Sequence, residues 1–426
     1  MHFFIYIFLG TMLIGVPIAF CMAFAPLVTF TIMGKTVYYK MLVQRLYAGI
    51  DSFPIMAIPF FMLAGQLMNT GGITVNLVRL ANALVGHLRG GLAHVNIVAS
   101  ILFAGLSGSA VADTSALGSI LIPAMEKDGY SKEFSAAVTA ASSIIGPIIP
   151  PSIIMIIYAY VMGVSVGGLF AAGIVPGLLV GFLLMVVAWI ISRKRGYPKR
   201  GKASLREILR ATKDSFLPLL TAVIIIGGIL GGIFTPTEAA AVAVGYALFL
   251  TLFVMRSLRL KELPGIFLNA ALSSSLILLI IGTATIFGWM VSTSQLPAKL
   301  SAFMAGITKD PYLMFFLVNV FLLIVGMFMD ASPAILIFGP LFGPAMVKMG
   351  IDPLHFAIVM CVNLTVGLAT PPVGLVLFVA SGLTGLSVER IAKEMAPFLA
   401  VEILIIFIIS YLPAIPMTVP KLLGFA

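Results

Sequence analysis

The chain carries the same pattern of glycines and prolines twice, at a constant offset of 221 residues. One copy begins GLSGSAVADTSALGSILIPAM at Gly105, and the other begins GMFMDASPAILIFGPLFGPAM at Gly326. The residues that recur without a gap are Gly105/Gly326, Ala110/Ala331, Gly118/Gly339, Pro123/Pro344, Ala124/Ala345, Met125/Met346, Gly129/Gly350, Gly146/Gly367, Pro150/Pro371 and Pro151/Pro372. Because glycine and proline interrupt helices, a duplicated chain is predicted to break its helices at matching places in both halves.

The composition of the chain indicates whether it lies in water or in a lipid bilayer. Apolar residues make up 61% of the chain and charged residues 9%, with a mean hydropathy of +1.17, whereas a soluble domain is about 25% charged. We therefore predict an all-α polytopic membrane protein in a lipid bilayer. The net charge of +10 does not indicate a nucleic-acid partner, because nine of the 25 basic residues fall between Arg193 and Lys213, as in a cytoplasmic loop.

The repeat divides the chain into residues 1–192, a basic cytoplasmic connector at 193–214, and a second repeat at 215–426. In each half we expect a re-entrant helical hairpin followed by a helix broken at Gly-x-x-x-Pro-Pro. The hairpins are predicted at about 91–126 and 311–348, and the broken helices at about 131–162 and 354–384. The remaining predicted elements are crossings within 2–33 and at 51–69, 166–191, 216–234, 238–255, 268–291 and 396–412, and a surface helix at 75–89.

Five crossings in each half would invert the second repeat relative to the first. The resulting orientation leaves most Lys and Arg residues inside, as the positive-inside rule requires. Inverted repeats with discontinuous helices are typical of secondary transporters. We expect both hairpins and both broken helices to form one transport domain that slides, elevator-like, against a scaffold made from the other helices.

Five stretches together resemble a known family. They are the segment from Gly105, the two Gly-x-x-x-Pro-Pro breaks, TPTEAAAVAVGYALF from Thr235 and SFPIMAIPFFMLAG from Ser52. They resemble the large membrane subunit of tripartite ATP-independent periplasmic (TRAP) transporters, in its unfused form. The resemblance implies sodium-driven uptake of an organic acid, a C4-dicarboxylate or sialic acid, across a bacterial inner membrane. It also implies two partners, a small four-helix membrane subunit and a periplasmic substrate-binding protein.

Oxygen-bearing residues at the tips and breaks are the candidate ligands, since sodium is a hard cation that prefers oxygen. The predicted sodium-binding residues are Ser107, Ser109, Gly146, Ile149, Gly326, Asp330, Gly367 and Thr370. The predicted substrate-binding residues are Asp113, Thr114, Ser152, Ser332, Asn363 and Thr365. No Lys or Arg lies in the tips or breaks, so helix N-termini and bound sodium would supply the positive potential. We expect Asp330→Asn to weaken sodium dependence more than Ser109→Ala does.

Simpler roles remain open for several of these residues. Asp113 and Asp330 could cap the return helices of the hairpins, the serines could serve helix packing, and Glu238 is expected to cap a helix. The two cysteines, Cys21 and Cys361, lie in apolar runs, and His2, His87, His94 and His355 share no metal-ligand spacing. No cofactor is predicted besides the coupling sodium ion.

Four other functions are alternatives to the sodium-coupled carrier: a channel, an anion carrier without a binding protein, a serine protease and an ATP-driven transporter. A channel, or an anion carrier without a binding protein, remains an alternative. An intramembrane serine protease built on Ser107 is disfavoured because the first broken helix holds no histidine to act as base, so no enzyme is predicted. ATP-driven transport lacks a phosphate-binding Gly-x-x-x-x-Gly-Lys-Ser/Thr loop.

Overall fold

The computed structural model describes residues 3–425, apart from the side chain of Ala305, and these residues form α-helices joined by short turns. The helices of the first half are α1 Phe3–Leu13, α2 Ile18–Ile32, α3 Tyr38–Ile50, α4 Ala57–Thr70, α5 Ile73–Val85, α6 Gly91–Ser107, α7 Ala110–Lys127, α8 Lys132–Ser143, α9 Ile153–Met162 and α10 Val166–Arg195. Those of the second half are α11 Leu205–Leu230, α12 Pro236–Phe249, α13 Leu263–Thr293, α14 Leu296–Ile307, α15 Pro311–Phe328, α16 Ala331–Lys348, α17 Pro353–Gly367, α18 Leu375–Thr384, α19 Val388–Tyr411 and α20 Ala414–Leu422. Residues 1, 2 and 426, and with them His2, lie outside this description.

Length and composition identify the helices that can cross a bilayer. Seven helical segments qualify within the described residues, or eight if α19 and α20, which meet at a 59° bend, count as one span. The prediction of an all-α, multi-pass membrane protein is therefore confirmed. The first helix, α1, has 11 residues and is about 16 Å long at 1.5 Å per residue, well short of a ~30 Å hydrocarbon core.

The basic connector is shorter than the sequence suggested. Helix α10 continues to Arg195 and α11 begins at Leu205, so residues 196–204 join them and both ends of the predicted connector at 193–214 are helical. The charged residues extend these helices beyond their apolar parts. A capping box, in which the Ser204 and Glu207 side chains each bond the other's backbone N–H, fixes where α11 begins.

Three short helices, α3, α14 and α20, were not predicted. Each lies beside a longer apolar helix. Contacts with that neighbouring helix stabilise the helical conformation, which the short sequence alone does not indicate. In α3, for example, Gly49 lies against Thr285 of α13, and a Cβ on Gly282 of α13 would lie 3.1 Å from the Leu46 carbonyl oxygen. The expected capping role of Glu238 is confirmed by its capping box with Thr235 at the start of α12.

Two helical hairpins lie where glycine and polar residues interrupt the apolar runs. Helices α6 and α7 contact each other and are joined by Gly108 and Ser109 alone, while α15 and α16 contact each other across Met329 and Asp330. Gly108 adopts a φ of +62°, a left-handed conformation that favours glycine.

The two Gly-x-x-x-Pro-Pro stretches each separate two helices. Residues 144–152 lie between α8 and α9, and residues 368–374 lie between α17 and α18. The Pro150–Pro151 and Pro371–Pro372 peptide bonds are both cis. The early part of each stretch still forms turn hydrogen bonds, such as Gly146 N–H to Ser143 O and Thr370 N–H to Gly367 O. The carbonyls of Pro150 and Pro151 face the first hairpin instead.

Helices from the two halves pack against each other in matching pairs. The return helix α7 packs on α18, and the return helix α16 packs on α9. A Cβ on Gly118 would lie 2.8 Å from Leu383, and one on Gly339 would lie 3.5 Å from Met162. Gly339 and Leu383 lie 221 positions after Gly118 and Met162, so residues at the repeat offset occupy matching places in the two contacts.

The packing divides the helices differently from our expectation. Helices α10 and α19 were expected in the scaffold, yet α19 packs on α8 and α17, and α10 packs on α6, α17 and α20. Helices α2, α3, α4, α12 and α13 pack mainly on one another, and α11 joins them through α12 and α5. We call α6–α10 and α15–α20 the hairpin group, and α1–α5 and α11–α14 the outer group. Helices α5 and α14 lie at the boundary, where they pack on α6 and α16 of the hairpin group.

Candidate functional site

The tip of the first hairpin rests against the first helix break. Ser109 caps α7 by accepting a hydrogen bond from the Ala112 N–H at 3.4 Å, and its own N–H donates to Ser107 Oγ at 3.2 Å. A Cβ on Gly108 would lie 2.6 Å from the carbonyl oxygen of Pro151. Glycine at this position therefore lets the tip approach the backbone of the break.

Asp113 lies fully buried one turn into α7, between the tip and the break. Ser107 Oγ donates a hydrogen bond to Asp113 Oδ1, and within residues 3–425 no donor reaches Oδ2. A Cβ on Gly146 would overlap Oδ2. The capping role considered for Asp113 is wrong, because Ser109 occupies the cap position, and the carboxylate instead has one oxygen directed at Gly146.

Carbonyl oxygens of the first break are the other available ligands. Among the described residues, no hydrogen bond reaches the carbonyl oxygens of Gly146, Ile148 or Ile149. The Ile148 carbonyl, however, lies against Gly173 of α10, and the Ile149 side chain lies against Gly177 of the same helix. The carbonyls nearest the tip are those of Pro150 and Pro151, which lie beside Gly105 and Gly108 and which sequence reasoning did not single out.

The second tip is built differently. Asp330 caps α16, with its Oδ1 accepting the Ser332 N–H at 2.8 Å, as the capping alternative proposed. A Cβ on Gly326 would lie 2.9 Å from Gly367 Cα, so the backbones of α15 and α17 touch where the first hairpin has Gly105 facing Ala222 of α11. The two tips are therefore not equivalent.

The remaining candidates are occupied by local hydrogen bonds. Thr365 and Thr370 donate to Cys361 and Val366 carbonyls of the preceding turn at 2.7 and 2.9 Å, and Ser152 caps α9. Thr114 donates to Ala110 O at 2.9 Å and to Ser143 Oγ at 2.6 Å. These bonds hold side chains in place without directing them at a common point.

Asn363 belongs to a buried polar contact of its own. Its Nδ2 donates to the backbone and side-chain oxygens of Asn319, both at 3.0 Å, and Asn319 donates to Ser410 Oγ at 2.8 Å. The contact joins α17, α15 and α19. Among the described residues Asn363 Oδ1 has no donor, so this amide keeps one free acceptor.

Sequence reasoning missed a set of buried polar residues between α6 and α8. Asn96 donates to Thr139 Oγ1 at 2.6 Å, and Ser100 donates to Ser142 Oγ at 2.9 Å. Their signal in the sequence was the spacing of four residues between Asn96 and Ser100, which places both on one helix face. They hold the inward leg of the hairpin on the broken helix and thereby fix the position of the tip.

Glu402 of α19 was also missed. It is fully buried, and among the described residues neither carboxylate oxygen has a hydrogen-bond partner. A single acid inside the apolar run from Phe398 to Ile409 was a signal that could have been noticed, because an intramembrane carboxylate is costly.

The sequence also matches the model of a known protein family. Residues 5–415 match the model of the tripartite ATP-independent periplasmic transporter, DctM component. The chain belongs to this family. It is therefore a membrane-embedded transporter component and not an enzyme, and the resemblance inferred from the repeated segments is confirmed.

Named relatives match 90% or more of this DctM-family chain. It is 42% identical to the C4-dicarboxylate TRAP transporter large permease protein DctM of Pseudomonas aeruginosa, over 90% of both chains. It is 40% identical to the sialic acid TRAP transporter large permease protein SiaM of Vibrio cholerae, over 97% of both chains. It is 42% identical to the isethionate TRAP transporter permease protein DctMQ of Oleidesulfovibrio alaskensis, over 95% of this chain and 64% of that protein.

A solved structure supports the fold. The DctM-family chain superposes on the crystal structure of the Alcanivorax borkumensis YdaH transporter with a TM-score of 0.63, over 92% of this chain and 89% of that one, at 15% sequence identity. At this identity the likeness shows a shared transporter fold alone.

Proposed function

We propose that this chain is the large membrane subunit of a sodium-coupled system that takes up an organic acid across a bacterial inner membrane. C4-dicarboxylate, sialic acid and isethionate, which appear in the names of its relatives, are all organic anions. The substrate class we propose is therefore a small organic acid, with the C4-dicarboxylate and sialic acid classes as first candidates.

The proposal of a coupling cation rests on the position of Asp113. A buried carboxylate with one oxygen unbonded, beside the backbone of Gly146, is an electrostatically negative site in a medium of low dielectric. An anionic substrate would be repelled there, whereas sodium would be attracted. We therefore propose that Asp113 belongs to a sodium pocket rather than to the substrate site, together with Ser107, Gly146 and the nearby carbonyls of the break.

The substrate has to find positive potential elsewhere. The N-termini of α7 and α9 meet near this tip and carry partial positive charge, and bound sodium would add a full charge. Coupling follows from this arrangement, because an anion would bind better when the cation is already present.

The proposed movement is a slide of the hairpin group along the outer group. Contacts between the two groups include glycines: a Cβ on Gly65 of α4 would lie 3.2 Å from Leu106 O, and one on Gly105 would lie 2.9 Å from Ala222 Cβ of α11. Small residues at these points let the two groups approach each other closely. The inverted orientation of the two repeats, which this elevator-like movement needs, stays a proposal.

Two partners complete the proposed system. The fused name DctMQ of one relative supports a small membrane subunit as a separate partner here, and the short α1, with Tyr6 and Leu13 largely exposed, offers apolar surface for it to cover. A periplasmic binding protein would deliver the substrate, as the family name implies.

Uptake into liposomes tests this function. The chain, the small subunit and a candidate binding protein are reconstituted together, and labelled C4-dicarboxylates and sialic acid are supplied with an inward sodium or potassium gradient. Saturable uptake that needs sodium and the binding protein is expected. Unitary currents would instead indicate a channel, and sodium-driven uptake without the binding protein would indicate an independent anion carrier.

A further inference from the structure

A cavity of about 590 Å³ lies between α5, the connector and the start of α11, far along the chain from the hairpin tips. Its walls are Arg79, Asn82, Ala83 and Gly86 from α5, Arg200, Gly201, Lys202 and Ala203 from the connector, and Glu207, Arg210, Ala211 and Asp214 from α11. The helical residues recur every three or four positions, so α5 and α11 face each other across the cavity.

The cavity is held open by hydrogen bonds around it. Ser215 Oγ of α11 donates to the Asn76 carbonyl of α5 at 3.0 Å, which joins the two helices. The connector is fixed by the Gly90 N–H, which donates to Pro198 O at 3.1 Å. The small residues Ala83, Gly86 and Ala211 then leave space between the walls.

Positive charge dominates this space. Arg79, Arg200, Lys202 and Arg210 line it against two acids, Glu207 and Asp214, and the Glu207 carboxylate already accepts bonds from Ser204 N and Oγ at 2.7 and 3.0 Å. Arg200 also pairs with Asp128 at 2.7 Å, but a guanidinium has five N–H donors and retains others for the cavity. The cavity therefore suits an anion with several oxygen acceptors.

Its surroundings are those of a membrane surface. All charges of α11 lie in residues 205–214, and the rest of the helix is uncharged. Leu205, Leu209 and Phe216 of the same helix are 73%, 61% and 58% exposed. An anionic head group in the cavity would thus have apolar surface beside it for acyl chains.

We propose that this cavity binds the head group of an anionic phospholipid of the cytoplasmic leaflet, with the phosphate held by Arg79, Lys202 and Arg210. Basic pockets between membrane helices on the cytoplasmic side are suited to such head groups. The bound lipid would link α5 and α11 of the outer group to the connector, whose Arg200 holds Asp128 at the end of α7 in the hairpin group.

The test uses the purified full chain in detergent. Short-chain phosphatidylglycerol, short-chain phosphatidylethanolamine and inorganic phosphate are titrated separately, and the thermal unfolding midpoint is followed. Phosphatidylglycerol is expected to raise the midpoint, and Arg79→Gln with Arg210→Gln is expected to raise its half-saturating concentration about 30-fold, since each basic residue near a charged surface contributes roughly 1 kcal/mol. Lys202→Gln alone, in the connector, should raise the half-saturating concentration of phosphatidylglycerol about fivefold.

The matched control removes the same charge from the same region. Arg206 and Lys213 are exposed residues of α11 outside the cavity lining, so Arg206→Gln with Lys213→Gln should leave the half-saturating concentration unchanged. An equal weakening by this control would overturn the site. Equal stabilisation by phosphatidylethanolamine would overturn its charge selectivity, and equal stabilisation by inorganic phosphate would assign the cavity to free phosphate rather than to lipid.

Discussion

The Asp113 carboxylate lies directly over the Cα of Gly146, so closely that a methyl group on residue 146 would overlap Oδ2. The contact joins the first hairpin to the first helix break, 33 positions apart in the chain. It places the carboxylate beside a stretch of backbone that lies between α8 and α9 and belongs to neither helix.

Replacing Gly146 by alanine should displace the Asp113 carboxylate. We expect Gly146→Ala to lower sodium-driven uptake at least about tenfold, because the added methyl takes the space in which a cation would bind. The loss is measured as uptake into liposomes at a series of sodium concentrations. Gly288→Ala is the control, since a Cβ at this helical glycine of α13 meets nothing within 4 Å, and equal losses in both variants would contradict the sodium pocket.

Removing the charge of Asp113 should change the response to sodium itself. Asp113→Asn keeps the shape of the side chain and its acceptor for Ser107, so the fold is expected to persist. The sodium concentration for half-maximal uptake should rise by about tenfold or more, as expected when a charged ligand is lost. An unchanged sodium curve with normal folding would show that this carboxylate serves packing alone.

Asp330 offers the contrasting case. Because Asp330 caps α16 and asparagine caps a helix about as well, we expect Asp330→Asn to shift the half-maximal sodium concentration less than Asp113→Asn does. Asp330→Ala should lower the free energy of unfolding by about 1 kcal/mol, measured by thermal denaturation. A larger sodium effect for Asp330→Asn than for Ser109→Ala would support the sequence-based hypothesis that Asp330 itself binds sodium.

Cross-links can test whether the hairpin group slides along the outer group. Cysteines at Gly118 and Leu383 lie within the hairpin group, so their cross-link should leave uptake nearly intact. Cysteines at Gly105 and Ala222 connect the two groups, and their cross-link should abolish uptake reversibly. Unimpaired uptake with Gly105 and Ala222 cross-linked would exclude a sliding movement at this boundary.

The helix breaks could be predicted from the sequence because their cause is local. Gly146 and the adjacent prolines Pro150 and Pro151 disfavour a continuous helix, and so do their counterparts 221 residues later. The hairpin turns at Gly108 and Asp330 follow from the same local chemistry. Helix α3 was missed because its stability depends on packing against α13, which no pattern within residues 38–50 reveals.

Contacts between distant segments explain the remaining differences. The assignment of Asp113 to the substrate site stays a prediction, and nothing in the sequence indicates that its unbonded oxygen faces Gly146. The cap at Ser109, one turn before Asp113, depends on where α7 begins, and sequence pattern locates a helix boundary only to within a few residues. The basic cavity combines α5 with a connector more than a hundred residues later, so the sequence showed only a charged loop.

The matching contacts between the halves also bear on how the chain is made. Helices α2 and α4 find their main neighbours in α13 and α12, α7 finds one in α18, and α9 finds one in α16. These particular surfaces of the first half therefore stay unfilled until the second half has been synthesised and inserted. Assembly of this protein in the membrane is in this sense a late event, and a chain cut in the connector should regain its structure only when both pieces are synthesised together.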